Sequence, residues 1–471
     1  MNTRRLFSVL AVLVVIAMLM SACAPAAAPA TQAPAATAAP KPTEKPAEVK
    51  PTDAPKPTDA PKPTEAPKAT EAPAAEKVTI NWWHISTDEK FKAIWQKLAD
   101  DYMAAHPNVD VKITVLENEA FKTKLTTVMQ SGEPPDLFQS WGGGVMNEYA
   151  KAGLLKDITS NVQGAWGDSI GTGALAVYST EGKQDGIPWA MGMVGFWYNK
   201  DLFKKAGIDN PPATWAELLD DVKKLKAAGI TPIALAGKDK WPGAFWWEYL
   251  ATRIGGKAAF DSAFSRQGAF TDPSFVEAGK SLQELIALKP FQNGFLGAAY
   301  GDQAGLVGNG KAAMELMGQC APSVENDNSV DKKGLGDKLS WFPFPMVDGG
   351  KGSPTDALGG GNGFAVGKNA SPEAVDFLKF LTSADAQSTM AKGGFITPVV
   401  KGAEGALTSD LLKQVQAGAA AAPYFQLYYD QYMPPAVGSV INDSTQEVFA
   451  GTMSPEQAAK AIDDSAAQEL K

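Results

Sequence analysis

The stretch GIPWAMGMVGFWYNKDLFKKAG, residues 186–207, lies mid-chain and decides how the rest is read. From Ile187 to Tyr198 every residue is apolar or glycine, and the run stops at Asn199, Lys200 and Asp201. It is too short for a bilayer, which takes about 20 apolar residues as a helix. Pro188, Gly192 and Gly195 also weaken any helix it would form. What remains is a buried extended segment, and the flanking sequence says what buries it.

Upstream, KVTINWWH (residues 77–84) alternates and ends in aromatics, as a first strand does when its end opens onto a cleft. Residues 88–105 then place Phe91, Trp95, Leu98 and Tyr102 at helical spacing, closed by His106-Pro107, before NVDVKITVLE alternates again. Strand, helix and strand within about forty residues predict a parallel β-α-β unit with a right-handed crossover. PPDLFQSWGGG adds a short buried strand, residues 136–139, running into the turn 140–144. Downstream, Thr214-Trp-Ala-Glu217 is a capping box opening an amphipathic helix towards Ala228, and GITPIALAG reads as the strand after it. GNGFAVGK is another strand, Ser371-Pro372 caps the helix that follows, and Ser454-Pro-Glu-Gln457 opens the last one. Strands and helices alternate on both sides of the central run, so two α/β lobes are expected.

The beginning of the chain has a different character. Arg4 and Arg5, an apolar core from Leu6 to Met20, and small residues before Cys23 make a lipoprotein-type signal that ends on a lipidated Cys23. Met20 stands where leucine is usual, and TRRLF leaves both the general and the twin-arginine export routes open. Residues 24–76, with KPTDAPKPTDAPKPTEAPKATEAP, carry almost no large apolar side chain and predict a disordered tether. The expectation is a module held at the outer face of the membrane or in the periplasm.

Composition narrows the partners. The formal charge is −9, and removing Arg4 and Arg5 with the signal makes it −11, which disfavours a nucleic-acid partner. Past Cys23 the one cysteine is Cys320, so no intrachain disulfide is available. His84 and His106 are the two histidines, and with no cysteine cluster neither a metal site nor a cofactor is expected. Beyond the signal only Arg253 and Arg266 supply guanidinium groups, whereas there are twelve tryptophans. Aromatic surface with few cations suits a neutral ligand better than an anionic one.

The segment 186–237, from GIPWAMGMVGFWYNKDLF to GITPIALAG, resembles the family 1 extracellular solute-binding proteins of ABC transporters, the sugar-binding group that includes maltose-binding proteins. GNGKAAMELMGQ, FPFPMVDGG, GGGNGFAVGKNASPEAVDFLKFLTS, GGFITPVV and FAGTMSPEQAAKAID follow in the family's order. The resemblance implies a type II periplasmic-binding fold: two lobes, each a mostly parallel sheet flanked by helices, joined by three hinge crossings. It places the first crossing at residues 186–198 and the others near 348–356 and 395–398. The lobes would then be residues 77–190 with 354–396, and 191–353 with 397–471. The implied function is non-enzymatic: a monomer that captures a mono- or oligosaccharide between its lobes and delivers it to transmembrane permease subunits.

A sugar offers an apolar C–H face for aromatic planes and a rim of hydroxyls for paired donors and acceptors. Candidates are therefore aromatics beside polar or glycine residues at strand ends. One of Trp82 and Trp83 faces the cleft, with Trp82 taken as core and Trp83 and His84 as ligand contacts. Glu119 comes from the turn after the second strand, with Glu117 and Asn118 beside it. Trp141 and Gly142 come from SWGGG. Trp189 either lines the floor or stiffens the hinge. Trp246 and Trp247 stand, by the resemblance, where an aromatic platform occurs. Gln319 and Cys320 follow Gly318, where the resemblance puts a ligand contact but an aromatic is usual. Gly361 and Asn362 come from GGGNGF, and Asp430 or Tyr424 from YFQLYYDQY. Trp241, with Trp95, Trp166, Trp197, Trp215 and Trp341, is assigned to packing. Two other readings stay open: a polyamine or other non-sugar solute on the same fold, and a secreted glycoside hydrolase, which needs two carboxylates about 5–10 Å apart.

Overall fold

The structure, a computed structural model, describes residues 77–470; the signal, Cys23 and the tether lie outside the described residues. The chain starts as predicted with β1 (Val78–His84), α1 (Glu89–Ala105) and β2 (Val109–Val115). Asp88 caps α1 by accepting from the Phe91 amide, and the helix buries Phe91, Trp95, Leu98, Ala99 and Tyr102 along one face. There follow α2 (Asn118–Ser131), β3 (Leu137–Ser140) and α3 (Gly143–Lys151). Both β2 and β3 pair parallel with β1.

The opening stretch becomes two strands, β4 (Gly186–Met193) and β5 (Gly195–Asn199), with Val194 between them. Next come α4 (Trp215–Ala227), β6 (Thr231–Ile233), α5 (Trp241–Phe264), α6 (Pro273–Ala287), α7 (Tyr300–Gly308) and β7 (Ala312–Met317). After them are α8 (Ala321–Asn328), β8 (Leu339–Phe342), β9 (Ala357–Val366), α9 (Pro372–Leu381) and α10 (Ala384–Lys392). The chain closes with α11 (Asp410–Ala421), β10 (Phe425–Leu427), α12 (Pro435–Ala450) and α13 (Pro455–Glu469). One sheet runs β10-β9-β3-β1-β2 with β4 also on β9; the other runs β8-β5-β7-β6. The result is a two-lobe α/β fold, one sheet to each lobe. Among the described residues no helix is long and apolar enough to cross a membrane.

Pairing within the second sheet departs from expectation. β5 pairs antiparallel with both β7 and β8, and only β6 with β7 is parallel, so this sheet is not mostly parallel. The first sheet is mixed, because β9 runs antiparallel to β3 and β4. The cause is connectivity: β5 enters its sheet from the other lobe and β9 returns from it, so neither follows a β-α-β crossover.

The apolar run is buried because β4 lies in one sheet, β5 in the other, and all but one of their residues are buried. The two passages meet where the Val194 amide donates to the Leu358 carbonyl at 2.8 Å and the Tyr249 hydroxyl donates to the Val194 carbonyl at 2.6 Å. Arg253, fully buried, fixes the return passage by donating to the carbonyls of Phe344, Pro345, Pro354 and Asp356 at 2.8–3.3 Å. A buried guanidinium is tolerated because its donors are satisfied. Its partner in scarcity, Arg266, pairs with Asp463 at 2.7 Å.

The last passage is not at residues 395–398. Thr397 bonds Met191, Val399 accepts from the Gly171 amide, and Lys401 donates to Ser169, so this segment stays on the first lobe. β10 still pairs with the start of β9, and only with α12 and α13, packed on α5 and α6, does the chain settle on the second lobe. TPVV reads as extended and apolar, which fits a hinge strand and a strap on the first lobe equally.

Candidate ligand-binding cleft

A cleft of about 1190 Å³ is lined by both lobes. Its first wall comes from connections that follow β1, β2 and β3: residues 85–88, 117–119 and Trp141. Strands β1 to β3 are parallel, so their carboxyl ends open on the same side. Trp189 and Phe395 lie at the floor; Trp189 is 5% exposed, packs edge-on against Trp95, and its indole N–H has no partner among the described residues. Asn362 also lines the cleft, and its side-chain oxygen accepts from the Gln139 amide at 2.8 Å, which leaves its own amide group as a donor.

The second wall is built from the start of α5 and from the ends of other elements. Tyr300, Trp241, Phe245 and Tyr428 form a continuous aromatic run, with centroids 5.4, 5.5 and 5.1 Å apart in turn. The first three step edge-to-face, and Phe245 stacks on Tyr428. Gln319, Cys320, Asp430 and Gln431 complete the wall, with Asp239 just before α5. The Asp239 carboxylate accepts from the Tyr300 amide at 2.7 Å. Burial first, and the Glu119 and Glu117 charges beside it, hold it above the usual carboxylate range. Cys320 sits 3.8 Å from the Tyr300 hydroxyl, and burial pushes its thiol up to about 11, so it stays protonated.

Of the residues expected to touch ligand, the cleft brings together Glu119, Trp141, Trp189, Gln319, Asn362 and Asp430. The other six are elsewhere. Trp83 lies on the opposite face of β1 from Trp82, covered by the Lys124 ammonium 4.5 Å above its ring. His84 is 1% exposed beside Trp82 and Trp95, accepts from the Ser86 amide, and is pushed to about 4 by burial and then by Lys92. It is a neutral core histidine. Gly142 has φ 71°, and a Cβ there would meet the Val177 carbonyl at 2.4 Å, so this glycine serves chain packing. Gly361 serves the same end, since a Cβ would lie 2.5 Å from the Met191 sulfur. Trp246 is fully buried against Phe196, Phe291 and Phe344. Trp247 packs on Phe275 and Tyr429 and donates to the Phe275 carbonyl. Both belong to the second lobe's core: the early part of α5 is buried on nearly every side, and its outward first turn carries Trp241 instead.

Trp241 had been assigned to packing, and Ser86, Asp88, Phe245, Tyr300 and Tyr428 were not singled out, yet all line the cleft. A signal for Trp241 exists: KDKWPG sets an aromatic beside acidic and basic residues where a strand ends and a Pro-started helix begins. Among the described residues no group of three or more His, Cys, Asp or Glu could hold a metal.

Residues 86–388 match the family model described as bacterial extracellular solute-binding protein, and the chain belongs to that family. Among curated relatives, the diacetylchitobiose binding protein DasA of Streptomyces coelicolor is 28% identical over 339 residues, 69% of this chain and 74% of that one. The multiple sugar-binding protein of Streptococcus mutans is 25% identical over 321 residues, 66% and 72% of the two chains. Among solved structures, a chitin oligosaccharide binding protein superposes with TM-score 0.78 at 28% identity, over 84% of this chain and 99% of that one.

Proposed function

We propose that this protein is the receptor for an oligosaccharide, which it holds between its two lobes and passes to the transmembrane subunits of an ABC importer. The observation that carries the reading is the aromatic run Tyr300–Trp241–Phe245–Tyr428 facing Trp141 and Trp189 across a cleft edged by carboxylates and amides. Flat rings take the C–H faces of sugar rings, and the polar edge pairs with hydroxyls. At about 1190 Å³ the cleft exceeds the roughly 300–1,000 Å³ of drug-sized sites, which favours several rings over one. The names of DasA and of the chitin oligosaccharide binding protein support a sugar. Ligand touching both walls favours a closed state through its differential contacts, with the paired passages at Val194 and Leu358 as the flexing point. Cys23 tethers the module by its lipid at the outer face of the membrane or in the periplasm. Titration calorimetry against chito-, xylo-, malto- and galacto-oligosaccharides tests this: saturable binding of one series is expected, and silence across all of them overturns it.

A further inference from the structure

We propose that the sugar carries a protonated amine, seated between Asp239 on one wall and Glu117 and Glu119 on the other. The inference deepens the oligosaccharide reading and rests on it. Seven carboxylates line the cleft against three lysines, and neither described arginine is among the lining residues. One lysine is already committed: Lys122 pairs with Glu119 at 3.0 Å and lies 5.6 Å over the Trp141 ring. Asp239 and Glu117 have no ion-pair partner among the described residues, and the Asp239 carboxylate accepts only a backbone amide. Their mutual repulsion reaches across from one lobe to the other, so any closure brings like charges together. A cation arriving with the ligand reverses the sign of that term, since each carboxylate then gains a charge-assisted hydrogen bond.

A second, independent feature says that the cation belongs to a larger polar molecule. Gln319 and Gln431 line the cleft at 5% and 7% exposure, and neither side-chain amide is hydrogen-bonded among the described residues. These amides open on the cleft, and once a ligand displaces the water there they need partners that donate and accept, which hydroxyls supply and a simple polyamine does not. The geometry therefore points to an amino sugar with free hydroxyls: carboxylates for the ammonium, amides for the hydroxyls, and the Trp241 run for the ring faces.

The test is titration calorimetry of the full-length protein with tetramers of glucosamine, N-acetylglucosamine and glucose and their galacto counterparts, with spermidine as control, at low and high salt. The free-amine sugar is expected to bind at least tenfold tighter than its neutral counterparts at low salt, with the advantage shrinking as salt rises. Asp239→Asn and Glu117→Gln are expected to bring the amine-to-neutral affinity ratio towards one. A neutral sugar bound as tightly as its amine analogue overturns the amine and leaves the oligosaccharide reading standing. Spermidine bound while every sugar is ignored overturns both.

Discussion

The two walls of the cleft are made in different ways. The first repeats one device three times: a parallel strand ends, and the connection after it, at residues 85–88, 117–119 and 141, faces the ligand space. The second has no such repeat. Its sheet is largely antiparallel, and its lining comes from the first turns of α5 and α7, the turn after β7, and residues 428–431 returning late in the chain. The first wall is polar around one tryptophan; the second is an aromatic run bordered by Asp239, Gln319, Asp430 and Gln431. The difference implies a division of labour in stacking: the second wall supplies most of the aromatic contact area, while both walls supply hydrogen-bond partners.

The largest expected effect breaks the second lobe without touching that surface. Trp246→Ala removes a fully buried ring from among Phe196, Phe291 and Phe344 and should cost about 3–5 kcal/mol of stability. Denaturant unfolding reads that loss, and sugar affinity of the folded fraction should stay within a few fold. A variant of unchanged stability would place Trp246 outside the core.

The next effect belongs to the first lobe. His84 has its folded-state value at about 4 against an ordinary 6.5, a base kept neutral by burial. The stability it confers is fully present above 6.5 and is lost as pH falls from 6.5 through 4, reaching roughly 3 kcal/mol at the acid end. His84→Asn, whose side-chain oxygen can still accept from Ser86, should flatten the melting temperature between pH 6.5 and 4. An unchanged acid slope in that variant would assign the slope to other groups.

The smallest effect separates the walls directly. Trp241→Ala should weaken sugar binding by more than about tenfold, the equivalent of about 1.4 kcal/mol, and Trp141→Ala by less, since Lys122 already covers part of its ring. Equal losses would end the division of labour between the walls.

Two lobes were legible because helix and strand periods, caps and the unbroken run 187–198 all report local burial. The first wall was partly legible for the same reason: Glu119, Trp141 and Asn362 each end or begin a strand-like segment. The adjacent pairs Trp82–Trp83 and Trp246–Trp247 misled because spacing says that neighbours diverge but not which layers lie on either side. β1 has α1 on one face and α2 on the other, so Trp82 is fully buried and Trp83 is half-buried beneath Lys124. The last passage was misplaced because an apolar strap and a hinge strand have the same composition. Of residues 428–431, Asp430 is a candidate from YFQLYYDQY, whereas Tyr428 and Gln431 reach the cleft by a long-range return that no local pattern encodes.

The most direct test of the central claim is small-angle X-ray scattering of the purified protein with and without a saturating oligosaccharide identified by calorimetry. Two walls that close on a sugar predict a smaller radius of gyration in the saturated sample, reversed when the sugar is removed. Tight, stoichiometric binding with an unchanged scattering profile would contradict capture between the lobes.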